Sequence, residues 1–177
     1  MSGPLQVVVM GASGTGKSEV GTRLAARLDM AYIEGDTFHP KANIEKMSAG
    51  EPLTDDDRQP WLETLAEMLS DNRAAGIATV MGCSALRRTY RDILRGPRSA
   101  DVVGFVHLSA SFDVLRDRME HRDHFMPASL LQSQLDTLEP LEPDERGVVL
   151  DVDAPLHDVV DAAVSAVERL ATDEPLA

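Results

Sequence analysis

The fold is decided by an apolar run and the glycine-rich stretch that follows it. The run reads Leu5-Gln6-Val7-Val8-Val9-Met10, and the next eight residues read Gly11-Ala12-Ser13-Gly14-Thr15-Gly16-Lys17-Ser18. The second stretch fits G-x-x-x-x-G-K-[ST], a pattern whose glycines let backbone N–H groups surround a phosphate. A helical pattern of apolar residues follows at Val20, Leu24 and Leu28, so the motif stands between a strand and a helix. We therefore predict that these eight residues bind a nucleoside triphosphate.

The last two residues of the motif have distinct expected roles. Lys17 can reach the β and γ phosphates and is a predicted catalytic residue, and the Ser18 hydroxyl can bind Mg²⁺. The N-terminal end of the following helix adds a positive partial charge at the same place. The N-K-x-D sequence by which GTPases recognise their base is absent from the chain. The predicted cofactors are ATP and Mg²⁺.

Four further apolar runs alternate with helical patterns along the chain. They lie at 30–33, 77–81, 102–108 and 148–152. Runs that are apolar on both faces are typical of parallel strands covered by helices on both sides, and alternation of strand and helix predicts right-handed βαβ units. We expect an α/β protein with the P-loop NTPase fold: one domain over residues 1–177, with a five-stranded parallel sheet, helices on both faces and a lid segment.

The composition excludes several classes of protein. Among 177 residues, 17 are basic and 30 acidic, a net charge of −13, which argues against general binding to nucleic acid. The single cysteine, Cys83, excludes an intrachain disulfide and favours a reducing compartment. No apolar run approaches the roughly 20 residues that span a bilayer. We expect a cytoplasmic protein with a small-molecule substrate and with neither nucleic acid nor membrane as a partner.

Two acidic residues follow the second predicted strand. Glu34 and Asp36 stand at the edge where open α/β sheets bind ligands, and on an extended chain their carboxylates would share one side. We expect Asp36 to bind Mg²⁺, to orient the attacking hydroxyl of an acceptor and to take its proton. The alternatives are a solvated turn for both residues and a helix cap for Asp36.

Several blocks after the phosphate motif resemble the gluconokinase family. They read Gly35-Asp36-Thr37-Phe38-His39-Pro40, Asn43 to Leu53, Asp55-Asp56-Asp57-Arg58-Gln59-Pro60-Trp61-Leu62, Cys83 to Asp92, His124-Phe125-Met126-Pro127, Ser133-Gln134-Leu135 and Leu138-Glu139-Pro140-Leu141. The resemblance implies ATP-dependent phosphorylation of D-gluconate at the 6-hydroxyl, which gives 6-phospho-D-gluconate and ADP, by a homodimer. The alternatives are a kinase of another small hydroxy acid such as shikimate, or a non-catalytic module that senses ATP.

The resemblance also implies substrate contacts. It places His39, Arg58 and Lys46 on the acceptor. Without it, Arg58 belongs to a solvated helix start, Lys46 to the surface, and a lone histidine is more often structural. The only tryptophan, Trp61, is expected to pack in the core.

The end of the third predicted strand supplies further candidates. Cys83 and Ser84 are expected to form pocket wall, Ser84 on the substrate side. Arg87, Arg91 and Arg95 lie four residues apart on one helix face. This run is expected to be a solvated face, with Arg87 nearest to the substrate.

A lid is expected at about residues 118–130, one residue shorter than is usual in the resembling family. Arg118 and Arg122 lie four apart where a helix enters it. Closing them over the triphosphate would neutralise developing charge and exclude water, so Arg118 is predicted to bind nucleotide, and Arg122 to act on substrate and in catalysis. The alternative is that both cap the helix C-terminus. The loop that holds Asp151 and Asp153 is expected to flank the adenine.

Overall fold

A five-stranded sheet forms the centre of the protein. The computed structural model describes residues 3–97, 102–121 and 127–172. The strands are β1 (Gln6–Met10), β2 (Ala31–Glu34), β3 (Thr79–Gly82), β4 (Val103–Ser109) and β5 (Gly147–Asp151). All four pairings are parallel, in the order β2-β3-β1-β4-β5. The predicted parallel sheet of five strands is confirmed.

Helices cover both faces of this sheet. They are α1 (Lys17–Arg27), α2 (Lys41–Ser48), α3 (Asp55–Ala74), α4 (Arg88–Arg95), α5 (Phe112–Glu120), α6 (Leu131–Thr137) and α7 (Leu156–Thr172). Helices α1 and α7 share an apolar cluster with Val7, Val9 and Val106 on one face. Helices α3 and α4 share the other cluster with Val8 and Phe105. The alternation of Val7, Val8 and Val9 between the two faces explains why three successive residues of β1 are all apolar.

The strand boundaries shift slightly from the apolar runs. Ile77 is 42% exposed and precedes β3, which begins at Thr79. Val149 lies in β5 but is 55% exposed, because β5 is an edge strand. Within the described ranges, no helix combines the length and the apolar character needed to cross a membrane.

The expected solvated arginine face on α4 is wrong. The side chains of Arg91 and Glu145 are both fully buried, with Arg91 Nε 2.7 Å from one carboxylate oxygen and Nη2 2.8 Å from the other. The remaining guanidinium hydrogens are donated to the carbonyls of Ala85, Leu86, Glu139 and Pro140. Arg95 is also largely covered, with only 11% of its side chain exposed. Arg91 therefore joins the chain that follows β3 to the chain that precedes β5.

We predict a large loss of stability when this pair is broken. Arg91→Met leaves a buried carboxylate without a partner, so the free energy of unfolding is expected to fall by about 3–5 kcal/mol. Urea denaturation followed by circular dichroism measures it. Arg23→Gln is the matched control, because its pair with Glu19 is about half exposed and should change stability by less than about 1 kcal/mol. Equal effects of the two substitutions would contradict the assignment.

A second buried ionisable side chain lies in β4. His107 is 5% exposed, and among the described residues neither ring nitrogen has a hydrogen-bond partner. Burial, with smaller contributions from the charges of Arg91 and Lys17, lowers the pKa of His107 from 6.5 to about 4. The folded protein therefore holds this imidazole neutral in a pH range where the unfolded chain protonates it.

The buried His107 makes the free energy of unfolding depend on pH. Between about pH 6.5 and about pH 4 the unfolded chain binds a proton at His107 that the folded chain does not, so stability falls as the pH falls. Between about pH 7 and about pH 5, the wild type should lose roughly 1–2 kcal/mol more than His107→Leu loses. Urea denaturation of both proteins at the two pH values measures the difference. Parallel losses in the two proteins would contradict it.

Candidate active site

The phosphate loop fits tightly against the elements around it. Gly11 has φ +140°, and a Cβ there would lie 2.5 Å from the Leu108 carbonyl oxygen. Gly14 has φ +85°, and its Cβ would lie 3.0 Å from the Leu115 carbonyl oxygen. Any side chain at these positions would force the loop away from β4 and α5. The glycines are thus required by both backbone conformation and close approach.

A recess at this loop brings together the residues predicted to bind phosphate and metal. It is lined by Ser13, Gly14, Gly16, Lys17, Ser18, Asp36 and Met119. The Lys17 ammonium donates to the Ala12 carbonyl at 3.1 Å, which holds the side chain over the loop. Asp36 reaches this recess because β2 ends beside β3, and a short 3₁₀ turn, Gly35–Phe38, begins there. A cation, a hydroxyl and a carboxylate therefore face one space.

Glu34 does not join Asp36 in this recess. Its carboxylate accepts a hydrogen bond from the Tyr32 hydroxyl at 2.9 Å. The chain turns into the 3₁₀ segment directly after Glu34, so the alternation expected for an extended Glu34-x-Asp36 is lost. The extended geometry expected for these two residues is therefore not formed, and of the two only Asp36 lines the recess. Burial, together with the charge of Glu34, raises the pKa of the Tyr32 phenol.

A cavity of about 410 Å³ adjoins the other side of the phosphate loop. Its lining includes Gly14, Gly16, Arg118, Val152 and Ala154. The Arg118 guanidinium donates to the Val152 carbonyl at 2.8 Å and to the Gly14 carbonyl at 3.5 Å. Arg118 therefore joins the phosphate loop to the loop after β5. The predicted nucleotide-binding arginine and the predicted adenine loop lie at one cavity, with the loop represented by Val152 and Ala154.

His39, a predicted substrate residue, stacks on Trp61. The two ring centroids are 3.9 Å apart with 19° between the planes. Trp61 is buried and its indole N–H donates to the Gly35 carbonyl at 2.9 Å, so the core position expected for it is confirmed. Burial first, and the Arg58 charge second, lower the pKa of His39 to about 4. The His39 imidazole is therefore neutral at physiological pH.

Two predicted substrate arginines meet around Tyr90. Arg58 Nη1 donates to the Leu53 carbonyl at 2.6 Å and to the Tyr90 hydroxyl at 3.2 Å. The Tyr90 hydroxyl in turn donates to Asp55, whose carboxylate also lies 3.4 Å from Arg87 Nη1. Tyr90 and Asp55 thus connect Arg58 to Arg87. No local pattern assigns a role to Tyr90, because its partners lie more than 30 residues away along the chain.

The remaining candidates, Lys46, Ser84 and Cys83, lie in three different surroundings. The Lys46 ammonium forms an ion pair with Asp57 at 2.7 Å, which lowers the pKa of that carboxyl to about 2. Ser84 is half-buried, and its carbonyl accepts from the Gly11 N–H at 3.2 Å, so it adjoins the phosphate loop. Cys83 is fully buried, and burial raises the pKa of its thiol to about 12. A thiol this hard to ionise is unsuited to nucleophilic catalysis.

The lid is described only at its two ends. Arg122, predicted to act on substrate and in catalysis, lies outside the described residues. Beyond the lid, α6 contributes a contact that sequence reasoning missed. The Gln134 amide oxygen accepts from the Ser13 N–H at 2.7 Å, which ties α6 to the phosphate loop.

Comparison with known proteins agrees with this arrangement. The family model for shikimate kinase matches residues 13–157, and together with the fold it defines a P-loop kinase. The chain is also 52% identical over 143 residues to the gluconokinase of Gluconobacter oxydans, a match that covers 80% of this chain and 79% of that one. The chain belongs to the gluconokinase family.

Further relatives agree over most of their length. The thermoresistant gluconokinase of Escherichia coli is 40% identical over 164 residues, covering 92% of this chain and 93% of that one. The crystal structure of a gluconokinase from Sinorhizobium meliloti superposes with a TM-score of 0.84 at 48% identity, covering 98% of this chain and 97% of that one. The predicted family, P-loop NTPase fold and kinase class are confirmed, and these relatives do not favour the shikimate alternative.

Proposed function

We propose that this kinase transfers the γ-phosphoryl group of ATP to the 6-hydroxyl of D-gluconate, giving 6-phospho-D-gluconate and ADP. The observation that carries the proposal is the shared recess of Lys17, Ser18 and Asp36. His39 follows Asp36 on the same short turn, its N–H donates to the Asp36 carbonyl at 3.4 Å, and the Arg58 charge acts on its ring. Sugar-acid recognition needs positive charge for a carboxylate and polar partners for hydroxyls. Membership of the gluconokinase family supports the choice of acid.

The residues present fit ATP with Mg²⁺. The Ser18 hydroxyl and the Asp36 carboxylate are hard oxygen donors in one recess with the phosphate loop. Mg²⁺ usually takes one or two protein ligands and completes its shell with phosphates and water. In keeping with that, the described residues contain no group of three or more His, Cys, Asp or Glu arranged to hold a metal. When bound, the ion would neutralise negative charge on the β and γ phosphates.

Different residues of the chain act on the nucleotide and on the acceptor during phosphoryl transfer. The phosphate-loop amides and Lys17 hold the β and γ phosphates, so the terminal phosphorus is fixed in position. Asp36 orients the 6-hydroxyl and accepts its proton as the new O–P bond forms. Arg58 binds the gluconate carboxylate, with Arg87 and Ser84 lining the same side. Lys46 contacts substrate only when its ion pair with Asp57 opens.

The lid completes the proposed site. Arg118 holds the nucleotide at the larger cavity, and Arg122 closes over the transferring group to exclude water, which would otherwise accept the phosphoryl group. We also propose that the single domain 1–177 acts as a homodimer in the cytoplasm. The family resemblance supports the dimer, and the single buried cysteine is compatible with a reducing compartment. Light scattering during size-exclusion chromatography tests the dimer.

The direct test is ADP release, coupled to a spectroscopic assay, with gluconate, shikimate and other sugar acids in the presence of Mg²⁺. Gluconate should support turnover, and ¹³C NMR of the product should show phosphorus coupling at C6. Turnover with shikimate and none with gluconate would overturn the proposed substrate. Saturable ATP binding with no acceptor-dependent turnover would favour an ATP-sensing module instead.

Lys17→Ala tests the phosphate site. Removing this cation should lower kcat by roughly 10²–10³-fold, because the negative charge on the phosphoryl group in the transition state loses the ammonium that stabilises it. The melting temperature should stay close to that of the wild type. Steady-state kinetics and calorimetry measure the two effects. Lys41→Ala is the control, since 91% of its side chain is exposed. A large fall in melting temperature for Lys17→Ala alone would mark the residue as structural.

Arg58→Ala tests the acceptor site. Loss of a charge-assisted hydrogen bond of about 1.5–3 kcal/mol should raise KM for gluconate roughly 10–100-fold, with a much smaller change in KM for ATP. Arg58→Lys keeps the charge without the forked geometry and should lie between the two. Equal changes in both KM values would count against the assignment.

A further inference from the structure

The His39 imidazole is held from two sides. One face lies on the Trp61 indole, and Nδ1 lies 3.4 Å from Asn43 Nδ2. Asn43 is itself 3% exposed and lies in the first turn of α2, four residues after His39. Nε2, the other ring nitrogen, has no hydrogen bond within the described part of the chain and is not among its fully buried polar atoms. The ring is therefore fixed at Nδ1 and open at Nε2.

The orientation of the Asn43 amide is set by its second partner. Nδ2 donates to the backbone carbonyl of Asp57 at 2.9 Å. A carbonyl oxygen can only accept, so the amide atom that faces it must be the nitrogen. The same nitrogen carries a second hydrogen, and His39 Nδ1 lies 3.4 Å from it. Nδ1 must then be the acceptor, which places the ring proton on Nε2.

We propose that Asn43 is a positioning residue that holds neutral His39 in its Nε2–H form, so that this N–H donates to a hydroxyl oxygen of the polyhydroxy acid acceptor. The inference rests on the proposed function for its substrate and on the contacts of Asn43 for its tautomer. It adds to the site a residue that does not itself touch the substrate.

The charges around the ring are consistent with this assignment. A nitrogen that accepts from Asn43 Nδ2 cannot itself carry a proton, so this contact already requires a neutral ring. Burial of the ring, and after it the charge of Arg58, act in the same direction. The Asp57 carboxylate is occupied by the Lys46 ammonium and the Thr54 N–H, so it is not available to stabilise an imidazolium. The ring is thus a neutral donor. A neutral N–H suits a hydroxyl oxygen, while the Arg58 guanidinium suits the carboxylate of the same molecule.

The first experiment needs no substrate, and a variant is used only to assign the signals. A two-bond ¹H–¹⁵N NMR spectrum of the full-length ¹⁵N-labelled protein distinguishes protonated from unprotonated ring nitrogens, and the His39 signals are identified by their absence in His39→Gln. At neutral pH, His39 should be protonated at Nε2 and unprotonated at Nδ1. Protonation at Nδ1, or at both nitrogens, would overturn the proposal.

Substitutions at Asn43 test the positioning role. Asn43→Asp replaces the donor with an acceptor, so the ring proton should move to Nδ1 and KM for gluconate should rise roughly fivefold, with KM for ATP unchanged. Asn43→Ala removes the donor without adding an acceptor and should give mixed tautomers. An unchanged tautomer in folded Asn43→Asp would overturn the proposal, as would equal changes in both KM values.

Substitutions at His39 separate the two ring nitrogens. The Gln amide nitrogen can take the place of Nε2, whereas the shorter Asn amide reaches only the place of Nδ1, so His39→Gln should retain at least several-fold more kcat/KM than His39→Asn. The reverse order would overturn the proposal. Addition of gluconate should shift the Nε2 resonance. Turnover of gluconate without that shift contradicts the contact, whereas no turnover with an Nε2–H tautomer contradicts the proposed substrate and leaves the role of Asn43 intact.

Discussion

The close approach of the phosphate loop to the carbonyl end of β4 is the constraint on which the site depends. Gly11 passes so near the Leu108 carbonyl that no Cβ can fit, and at Gly14 a Cβ would be strained by φ +85° and crowded by the Leu115 carbonyl. The loop is fixed between neighbouring elements of the sheet and α5, so Lys17 and Ser18 begin α1 at a defined distance from Asp36 at the end of β2. A displaced loop would separate Lys17 and Ser18 from the Asp36 carboxylate.

The acceptor side is built in a different way, by side chains that hold other side chains. Trp61 and Asn43 hold His39, and Tyr90 with Asp55 connects Arg58 to Arg87. A buried polar network destabilises the fold when one of its groups lacks a partner. When every group has a partner, the network favours a single arrangement of the side chains. Because these groups come from α2, α3 and α4, the acceptor site forms only when those helices pack together. The nucleotide side, in contrast, needs only one loop and its neighbours.

This difference explains which parts of the protein were predictable from the sequence. The sheet and the phosphate loop follow from local patterns: apolar runs and an eight-residue motif that carries its own mechanism. The resemblance to gluconokinases directed attention to His39 and Arg58, but did not indicate what holds them. Arg91 was placed on a solvated face because its spacing from Arg87 and Arg95 is helical, and its partner Glu145 is 54 residues away. The absence of Glu34 from the recess has a local reason, since β2 ends at Glu34 and the chain turns before it reaches Asp36.

Cys83 has a consequence for how the molecule can be observed. It is the only cysteine, it follows β3 directly and lies beside β1, and its thiol is both buried and hard to ionise. Alkylating reagents therefore reach it only when the carboxyl edge of the sheet opens. The rate of alkylation therefore reports how often this edge opens. Bound nucleotide would hold the edge closed and so would slow the alkylation of Cys83.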